Sequence, residues 1–548
     1  MEKIDLLLQR FSPYLLFVLF LALFCLLVKP LADIDLWWHL ATGRHLLETK
    51  AFLTNDPFGL AGDAITPGRE IILNSYWLAQ LFFYLAHRLF DDKGLVLLRA
   101  VILSLPALCV ILHYRRHKLE SAAALLVAGL VGWGMLSVSG FRPNHLTVAF
   151  IPLLLMLMHS VGYVEDERDY NLHRAAILPF FMLIWANLHG GFILGVALLG
   201  GYLVCESLTH VIRRNPLRPL VSLWGVVVLS MLLTLATPNG WTVYLQLFGF
   251  EGSAIQKKTS EYLSPFVLAQ NGVLVYWPYF IFLAICLIVL LLKLRTPSTK
   301  WLLALALLLI SLSAFRYAPL FLGGAAILLA SEISQLCRRF SFVRTGASLC
   351  AVALVLLLAI SAAPHSVAQA KSALNQPVDA NRFPVKAVDF LLERPLRGNT
   401  FNHFNWGGYL AWRAPGRLVP FIDGRSLNTD LFTLYTRGLW IPQEAQSIFD
   451  KHQVDVLLLP RLNPFTGELY LLTDFLWKSR NWAFVYRDES SMVFVRRGVF
   501  PELEKVEISN RSLIYRDVLN DVERVAKTSG NSAHLQKAKQ FALHRLGM

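Results

Sequence analysis

The chain has 548 residues, 55% hydrophobic and only 16% charged. Soluble proteins carry roughly 25% charged residues, so this composition excludes an ordinary soluble enzyme and indicates a polytopic α-helical membrane protein. Lysine and arginine outnumber aspartate and glutamate 51 to 37, for a net charge of +14; membrane proteins gather such a surplus in their inner loops, so it calls for no nucleic-acid partner.

Near the N-terminus an apolar run from Pro13 to Val28 follows a few charged residues, and no small-residue cleavage site precedes Lys29-Pro30. It is expected to be a retained first span and not a removed signal peptide. With about 20 apolar residues needed per crossing, about eleven spans are predicted, near 13–32, 94–113, 119–139, 146–163, 175–189, 191–211, 219–237, 275–292, 301–314, 317–336 and 346–362. With the N-terminus inside, the inner connections hold sixteen cations, among them Arg115, Arg116, Arg213, Arg214, Arg338 and Arg339. The short outer connections hold five, Lys29, Arg142, Lys257, Lys258 and Arg316. This bias sets the orientation, and an odd number of spans puts everything from about Pro364 onward on the extracytoplasmic side. The six cysteines lie in or beside apolar runs, which excludes a disulfide framework or a CxxC metal site.

The first outer loop, from Asp33 to about Lys93, opens Asp33-Ile34-Asp35-Leu36-Trp37-Trp38-His39. Asp33 and Asp35 follow a span directly, where apolar surroundings raise a carboxylate's pKa toward that of a general base. The plainer alternative is a helix end in the headgroup region with Trp37 and Trp38 as an aromatic belt. Further along come Arg142, Asn144 and His145 after the third span, Asn187 and His189 closing the fifth, Glu261 in the loop from Pro238 to Trp277, and Arg316 between the ninth and tenth. Each taken singly reads as a helix cap or a satisfied core residue. Their collection on one membrane face, with His39 beside the acidic pair, indicates a polar pocket opening outward.

The C-terminal region is soluble in character. Strands at Val454 to Leu459, Trp482 to Tyr486 and Met492 to Val495 alternate with helices at Val385 to Leu392 and Glu444 to His452, so residues 364–500 are expected to form an α/β domain. Residues 501–548 read as a charged helical tail without a packing partner. Trp406-Gly407-Gly408 and Asp423-Gly424-Arg425 are candidate ligand-facing turns; the alternative is a tight turn and an internal Asp423–Arg425 pair. No phosphate-binding glycine loop of the P-loop or dinucleotide type is present.

An acidic motif after the first span, a long first outer loop, many spans and an extracytoplasmic C-terminal domain together resemble the GT-C superfamily of glycosyltransferases, which includes protein mannosyltransferases, aminoarabinose transferases and oligosaccharyltransferases. The opening from Asp33 to Gly43 also resembles a group of bacterial membrane proteins. Asn405-Trp406-Gly407-Gly408-Tyr409-Leu410 with the segment from Val419 to Arg425 is similar to the Trp-Trp-Asp-Tyr-Gly region of oligosaccharyltransferases, with Gly407 in place of the family's Asp, so sequon recognition is not carried over. Thr259-Ser260-Glu261 is loosely similar to that family's short Thr-to-Glu motif.

The resemblance implies transfer of a sugar from a polyprenyl-phosphate-linked donor to a glycan, lipid or protein acceptor, in contact with membrane lipids at a bacterial inner membrane. It implies Asp33 or Asp35 as general base, Arg316 or Arg142 on the lipid phosphate, inversion at the sugar, and His39, Asn144, His145, Asn187, His189, Glu261, Trp406, Asp423 and Arg425 as substrate contacts. The segment from Ser139 to His145 lacks the family's Asp-x-Asp, which argues against a bound Mg2+ or Mn2+. Two other classes fit parts of the pattern, a lipid-linked-glycan flippase and a glycan polymerase or ligase. The first predicts inverted repeats and broken helices, neither of which is evident in the sequence; the second predicts its large loop between late spans.

Overall fold

The computed structural model describes residues 2–138, 140–162, 171–214, 216–244, 260–270, 277–295, 298–340, 345–346, 348–350, 353, 357, 367–463, 466–529 and 532–548. The chain divides into two units, residues 1–31 with 74–377, and residues 32–73 with 378–548.

The first unit is helical. Among the described residues, the helices or helical stretches Arg10–Leu27, Glu70–Arg116, Asn144–Val161 and Phe192–Ile212 are long and apolar enough to cross a membrane, Phe315–Leu328 with Ala330–Arg339 makes one bent pair, and Ser121–Met135, Leu172–Leu188, Leu220–Leu233, Trp277–Leu292 and Thr299–Ser313 are shorter apolar helices. Together they coincide with ten of the predicted spans. The eleventh, near 346–362, lies largely outside the described residues, as do Lys257, Lys258 and Thr259. The protein is a multi-pass membrane protein.

Three departures from the predicted spans have local causes. The second span is the latter part of a longer helix, Trp77–Arg116, broken at Asp91 (φ 55°, ψ −161°), where Asp91, Asp92 and Gly94 are poor helix-interior residues. The tenth bends by 62° at Leu329, whose backbone (φ −99°, ψ 11°) leaves the helical region; the expectation that no helix is broken is corrected here. Arg99, inside the second span and only 4% exposed, donates Nη1 to the Leu27 carbonyl at 2.8 Å, Nη2 to Val138 at 3.0 Å and Nε to Gly140 at 2.6 Å. It thereby serves carbonyls at and just beyond the ends of two helices, groups that no helix satisfies by itself. Ala318–Leu328 is buried along its entire length, as a helix apolar all round must be, and it packs on Asn144–Val161 and Thr299–Ser313.

The second unit is built on a mixed five-stranded sheet of β1 (Gly398–Asn402), β2 (Leu418–Pro420), β3 (Val454–Leu459), β4 (Trp482–Arg487) and β5 (Met492–Arg496) in the order β2-β1-β3-β5-β4. β1 pairs parallel to β2 and β3, while β5 runs antiparallel to β3 and β4. Its core joins Phe401, Leu457, Phe484 and Phe494 from the strands with Tyr435 and Phe449 from helices.

Leu53, Ala61 and Leu73 also enter that core, so residues 32–73, read from the sequence as part of the membrane domain, belong to the C-terminal unit. The segment from Pro501 onward is packed as well. The Ser512–Ser529 and Ala533–Leu546 helices bury Tyr515, Val518, Leu535 and Ala542 with Leu462, and buried Arg461 bonds Asp521 at 2.7 Å. The tail has the partner that its charge pattern concealed.

Candidate functional site

Of the residues singled out above, Asp33, Asp35, His39, Trp406, Asp423 and Arg425 lie in the second unit, and Arg142, Asn144, His145, Asn187, His189, Glu261 and Arg316 in the first.

In the second unit the acidic motif leads into the helix Leu36–Thr49, with Asp35 as its N-cap residue in place but without a side-chain capping bond. Asp33 is 5% exposed, and its Oδ1 accepts from the Asp35 backbone N–H at 3.0 Å. Asp35 Oδ1 accepts from the Trp38 indole N–H at 3.1 Å. The two carboxylates are thus held by neighbours in the motif, and Trp38 takes part as a hydrogen-bond donor in addition to any place in an aromatic belt. His39 is buried, with its ring centroid 3.6 Å from that of Trp38.

Asp35 also meets the downstream motif. A Cβ built on Gly424 would lie 2.5 Å from Asp35 Oδ1, so any side chain there has to move the carboxylate. The flanking charges are internal. Arg425 Nε donates to both Asp423 oxygens, at 3.1 and 3.0 Å, and Nη2 bonds Asp423 Oδ2 and lies 2.9 Å from Asp56 Oδ1. The Arg425 side chain is 1% exposed. Burial pushes the Asp56 carboxyl above its ordinary pKa against the opposing pull of Arg425, and Asp423 adds to the rise. Burial would lower Arg425, but the two carboxylates carry it above its ordinary value. Of the two arrangements weighed from sequence, the internal pair is observed, enlarged to a triad by Asp56.

Gly407 opens the short Gly407–Arg413 helix and does not make an exposed turn; a Cβ there would meet the Ile422 carbonyl at 2.0 Å. Trp406 is buried and donates its indole N–H to the Arg382 carbonyl at 2.8 Å.

In the first unit a second polar group gathers. Arg142 Nη2 pairs with Glu261 Oε1. His145 Nδ1 lies 3.0 Å from the Arg142 amide and 2.9 Å from its carbonyl. Arg316 occupies the 3-10 turn Phe315–Tyr317, donates Nη1 to the Tyr262 hydroxyl, and lies 4.7 Å over the Tyr262 ring. Tyr262 follows Glu261 directly, so both guanidinium groups are held by one short turn, Ser260–Tyr262.

His189 Nδ1 accepts the Gly191 backbone N–H at 2.9 Å and lies 2.8 Å from Thr147 Oγ1. An N–H can only donate, so Nδ1 is the unprotonated nitrogen and the neutral ring carries its proton on Nε2. The ring stacks on Tyr76 at 5.6 Å, and Arg316, His145 and Arg142 act on it electrostatically. Asn144 Oδ1 is buried with no hydrogen-bond partner among the described residues. Asn187 is fully engaged, accepting from the Trp77 indole at 2.6 Å and donating to the Leu183 and Ala236 carbonyls at 2.9 and 3.0 Å.

Two guanidinium groups against one carboxylate leave this group positive, an arrangement suited to an anion. Sequence reasoning missed Asp56, Tyr76, Thr147 and Tyr262. Asp56 and Tyr262 had local signals, in Asn55-Asp56-Pro57 and in adjacency to Glu261; Tyr76 and Thr147 had none. Among the described residues, the three-ligand cluster found lies at His113, His117 and His159 and does not include Asp33 or Asp35.

No protein-family model and no curated protein matches this sequence. Solved structures do match. The oligosaccharyltransferase AglB of Archaeoglobus fulgidus, in complex with an inhibitory peptide and a dolichol-phosphate, aligns with TM-score 0.55 and 13% identity over 98% of this chain and 86% of its own. A second structure of that organism's oligosaccharyltransferase, tethered to an acceptor peptide, aligns with TM-score 0.53 and 13% identity over 91% and 77%. ArnT of Cupriavidus metallidurans in the apo state aligns with TM-score 0.50 and 14% identity over 88% and 97%. AglB and ArnT have the GT-C fold, and this chain shares it, as the acidic motif and the span pattern lead one to expect.

Proposed function

We propose that this chain is an integral-membrane glycosyltransferase that moves a sugar from a polyprenyl-phosphate-linked donor to an extracytoplasmic acceptor, at a bacterial inner membrane and with its N-terminus inside. One observation carries the reading: a chain with the fold of an oligosaccharyltransferase solved with dolichol-phosphate holds two arginines on one short turn, Arg142 on Glu261 and Arg316 on the adjacent Tyr262.

In the proposed reaction an acceptor hydroxyl or amine attacks the anomeric carbon. The bond from that carbon to the lipid phosphate oxygen breaks, and the oxygen leaves with the electron pair. The acceptor proton passes to Asp35 or Asp33 acting as general base, with inversion at the sugar. Charge builds on the leaving phosphate, and the guanidinium fork of Arg316, with that of Arg142 second, stabilises it. His189, protonated on Nε2, offers a neutral donor to the same anion. The buried Asn144 oxygen needs a donor, which a sugar hydroxyl supplies. Asp423, Arg425 and Trp406 act in this reading as supports of the Asp35 segment, and no step is routed through a divalent ion.

The test is transfer of radiolabelled sugar from a purified polyprenyl-phosphate donor by the reconstituted protein, offered glycan, lipid and protein acceptors. Transfer that disappears in Asp35→Asn or Asp33→Asn supports the reading; neither donor binding nor transfer across the panel overturns it. The 62° bend between Phe315–Leu328 and Ala330–Arg339 favours one second reading, a flippase, because carriers use broken helices. It predicts intact donor crossing the vesicle bilayer without cleavage.

A further inference from the structure

At the opposite end of the Asn144–Val161 helix from His145, three histidines meet. His113 lies in the last turn of Trp77–Arg116, His117 caps that helix, and His159 lies in the last turn of Asn144–Val161. Fourteen residues of helix separate His145 from His159, about 21 Å of rise, so this cluster is distinct from the Arg142–Glu261 group. The ring centroids are 4.5 Å apart for His113 and His117, 4.6 Å for His113 and His159, and 5.3 Å for His117 and His159. One ring nitrogen from each lies within 4.8 Å of the others. Both nitrogens of His159 are buried and have no hydrogen-bond partner among the described residues. A buried imidazole left this way loses its water without compensation, and the cluster borders a cavity of about 260 Å³ that Arg116 and Arg174 also line.

The geometry points to a transition-metal site: His113, His117 and His159 bind one Zn2+-like ion through three imidazole nitrogens, with the fourth position open to the cavity. Three imidazoles with one open position are a recurrent zinc arrangement, at Zn–N distances of about 2.0–2.1 Å. Tetrahedral ligands at that distance stand about 3.3 Å apart, so rotation of the rings closes the observed spacing around an ion.

The surroundings narrow the class. Arg116 and Lys300 add positive charge near the rings. Hard cations such as Mg2+ and Ca2+ seek oxygen ligands, which three ring nitrogens do not offer. A borderline metal gains nitrogen coordinate bonds, and an anion in the fourth position, facing Arg116, balances the remaining charge. Arg174 donates to the Ser160 carbonyl at 3.0 Å, which fixes the cavity wall beside His159. The bound ion would tie the ends of two membrane helices together.

The experiment uses the full-length protein in detergent, purified with an affinity tag free of histidine and stripped with EDTA. Co2+ is titrated while the visible bands of tetrahedral cobalt are recorded, and Zn2+ is then added as competitor. The expected result is one Co2+ per chain, displaced by Zn2+. A loss in affinity on the order of 100-fold or more is expected for His159→Ala and for His117→Ala, since outer-shell changes alone cost 10–100-fold. His544→Ala, in the C-terminal helix, leaves binding intact. His117 sits at a helix end, so its variant keeps the test open should His159→Ala fail to fold. No cobalt band in the wild type, or a band surviving in both variants, overturns the site. So does a melting temperature raised by inorganic phosphate in metal-free protein and not by Zn2+, which would mark an anion site.

Discussion

The Asp35 carboxylate rests against the backbone of Gly424, so closely that a methyl group on that glycine would stand 2.5 Å from Oδ1. Residues almost 400 positions apart in sequence therefore set the position of one acidic side chain. Gly424→Ala is expected to displace the Asp35 carboxylate and to cost about 1–3 kcal/mol, as overpacking does. If Asp35 is the base, sugar transfer falls with it. Melting temperature and transfer rate measured on the same preparation check both effects, and wild-type values for both would show that the segment yields without consequence.

Asp35→Asn and Asp33→Asn separate the two carboxylates. Loss of a general base costs roughly 10²-fold to 10⁴-fold in rate, and one variant should show it with donor affinity and melting temperature near wild type. Near-normal turnover in both, with a verified donor, would reduce the motif to the start of a helix.

Arg316 and Arg425 are predicted to behave in opposite ways. Arg316→Ala should weaken donor binding, and Arg316→Lys should restore part of it, because lysine keeps the charge and loses the fork. Arg425→Met should instead destabilise by about 3–5 kcal/mol by stranding Asp56 and Asp423 as buried, unpaired carboxylates. Donor affinity and thermal stability recorded side by side distinguish them; an Arg316→Ala variant with intact affinity and lowered stability would make Arg316 a scaffold residue.

His403 supplies a pH dependence. It is buried, its Nδ1 has no hydrogen-bond partner among the described residues, and burial lowers its pKa from 6.5 to about 4. The folded state thus binds this proton less readily than the unfolded state. The neutral ring's full contribution is present above pH 6.5 and is lost as pH falls from 6.5 toward 4, by about 3 kcal/mol in all. Stability of the wild type should fall more steeply across that window than that of His403→Gln; parallel curves would show that the ring gains a partner on protonation.

The sequence displayed what depends on runs of residues. Apolar stretches marked ten described helices or helix pairs, and strands such as Val454–Leu459 and Met492–Arg496 stood out as short apolar runs, which are almost wholly buried. β1 and β2 did not, since Gly398–Asn402 is polar and Leu418–Pro420 is only three residues long.

The candidate residues were legible as types, but their partners were not. Asp423 and Arg425 announce a pair; that Asp56 completes it depends on a contact across more than 360 residues. Arg99 passed unnoticed inside an apolar span because the carbonyls it satisfies exist only once Leu27 and Val138 are brought to it. His113 and His117 stand only four apart in the sequence, but nothing in it brings His159 to them.

The placement of residues 32–73 in the C-terminal unit bears on the order in which the protein can be made. Leu53, Ala61 and Leu73 leave the ribosome early, while the strands they pack against are among the last third of the chain to be synthesised. During that interval the loop's apolar side chains have no core to enter, and contacts of such sequence separation form slowly. A chain interrupted before residue 378 presents those side chains unburied, a target for quality-control proteases. A soluble fragment of 378–548 alone lacks the same three residues from its core, so the folding unit draws on two stretches of chain about 300 residues apart.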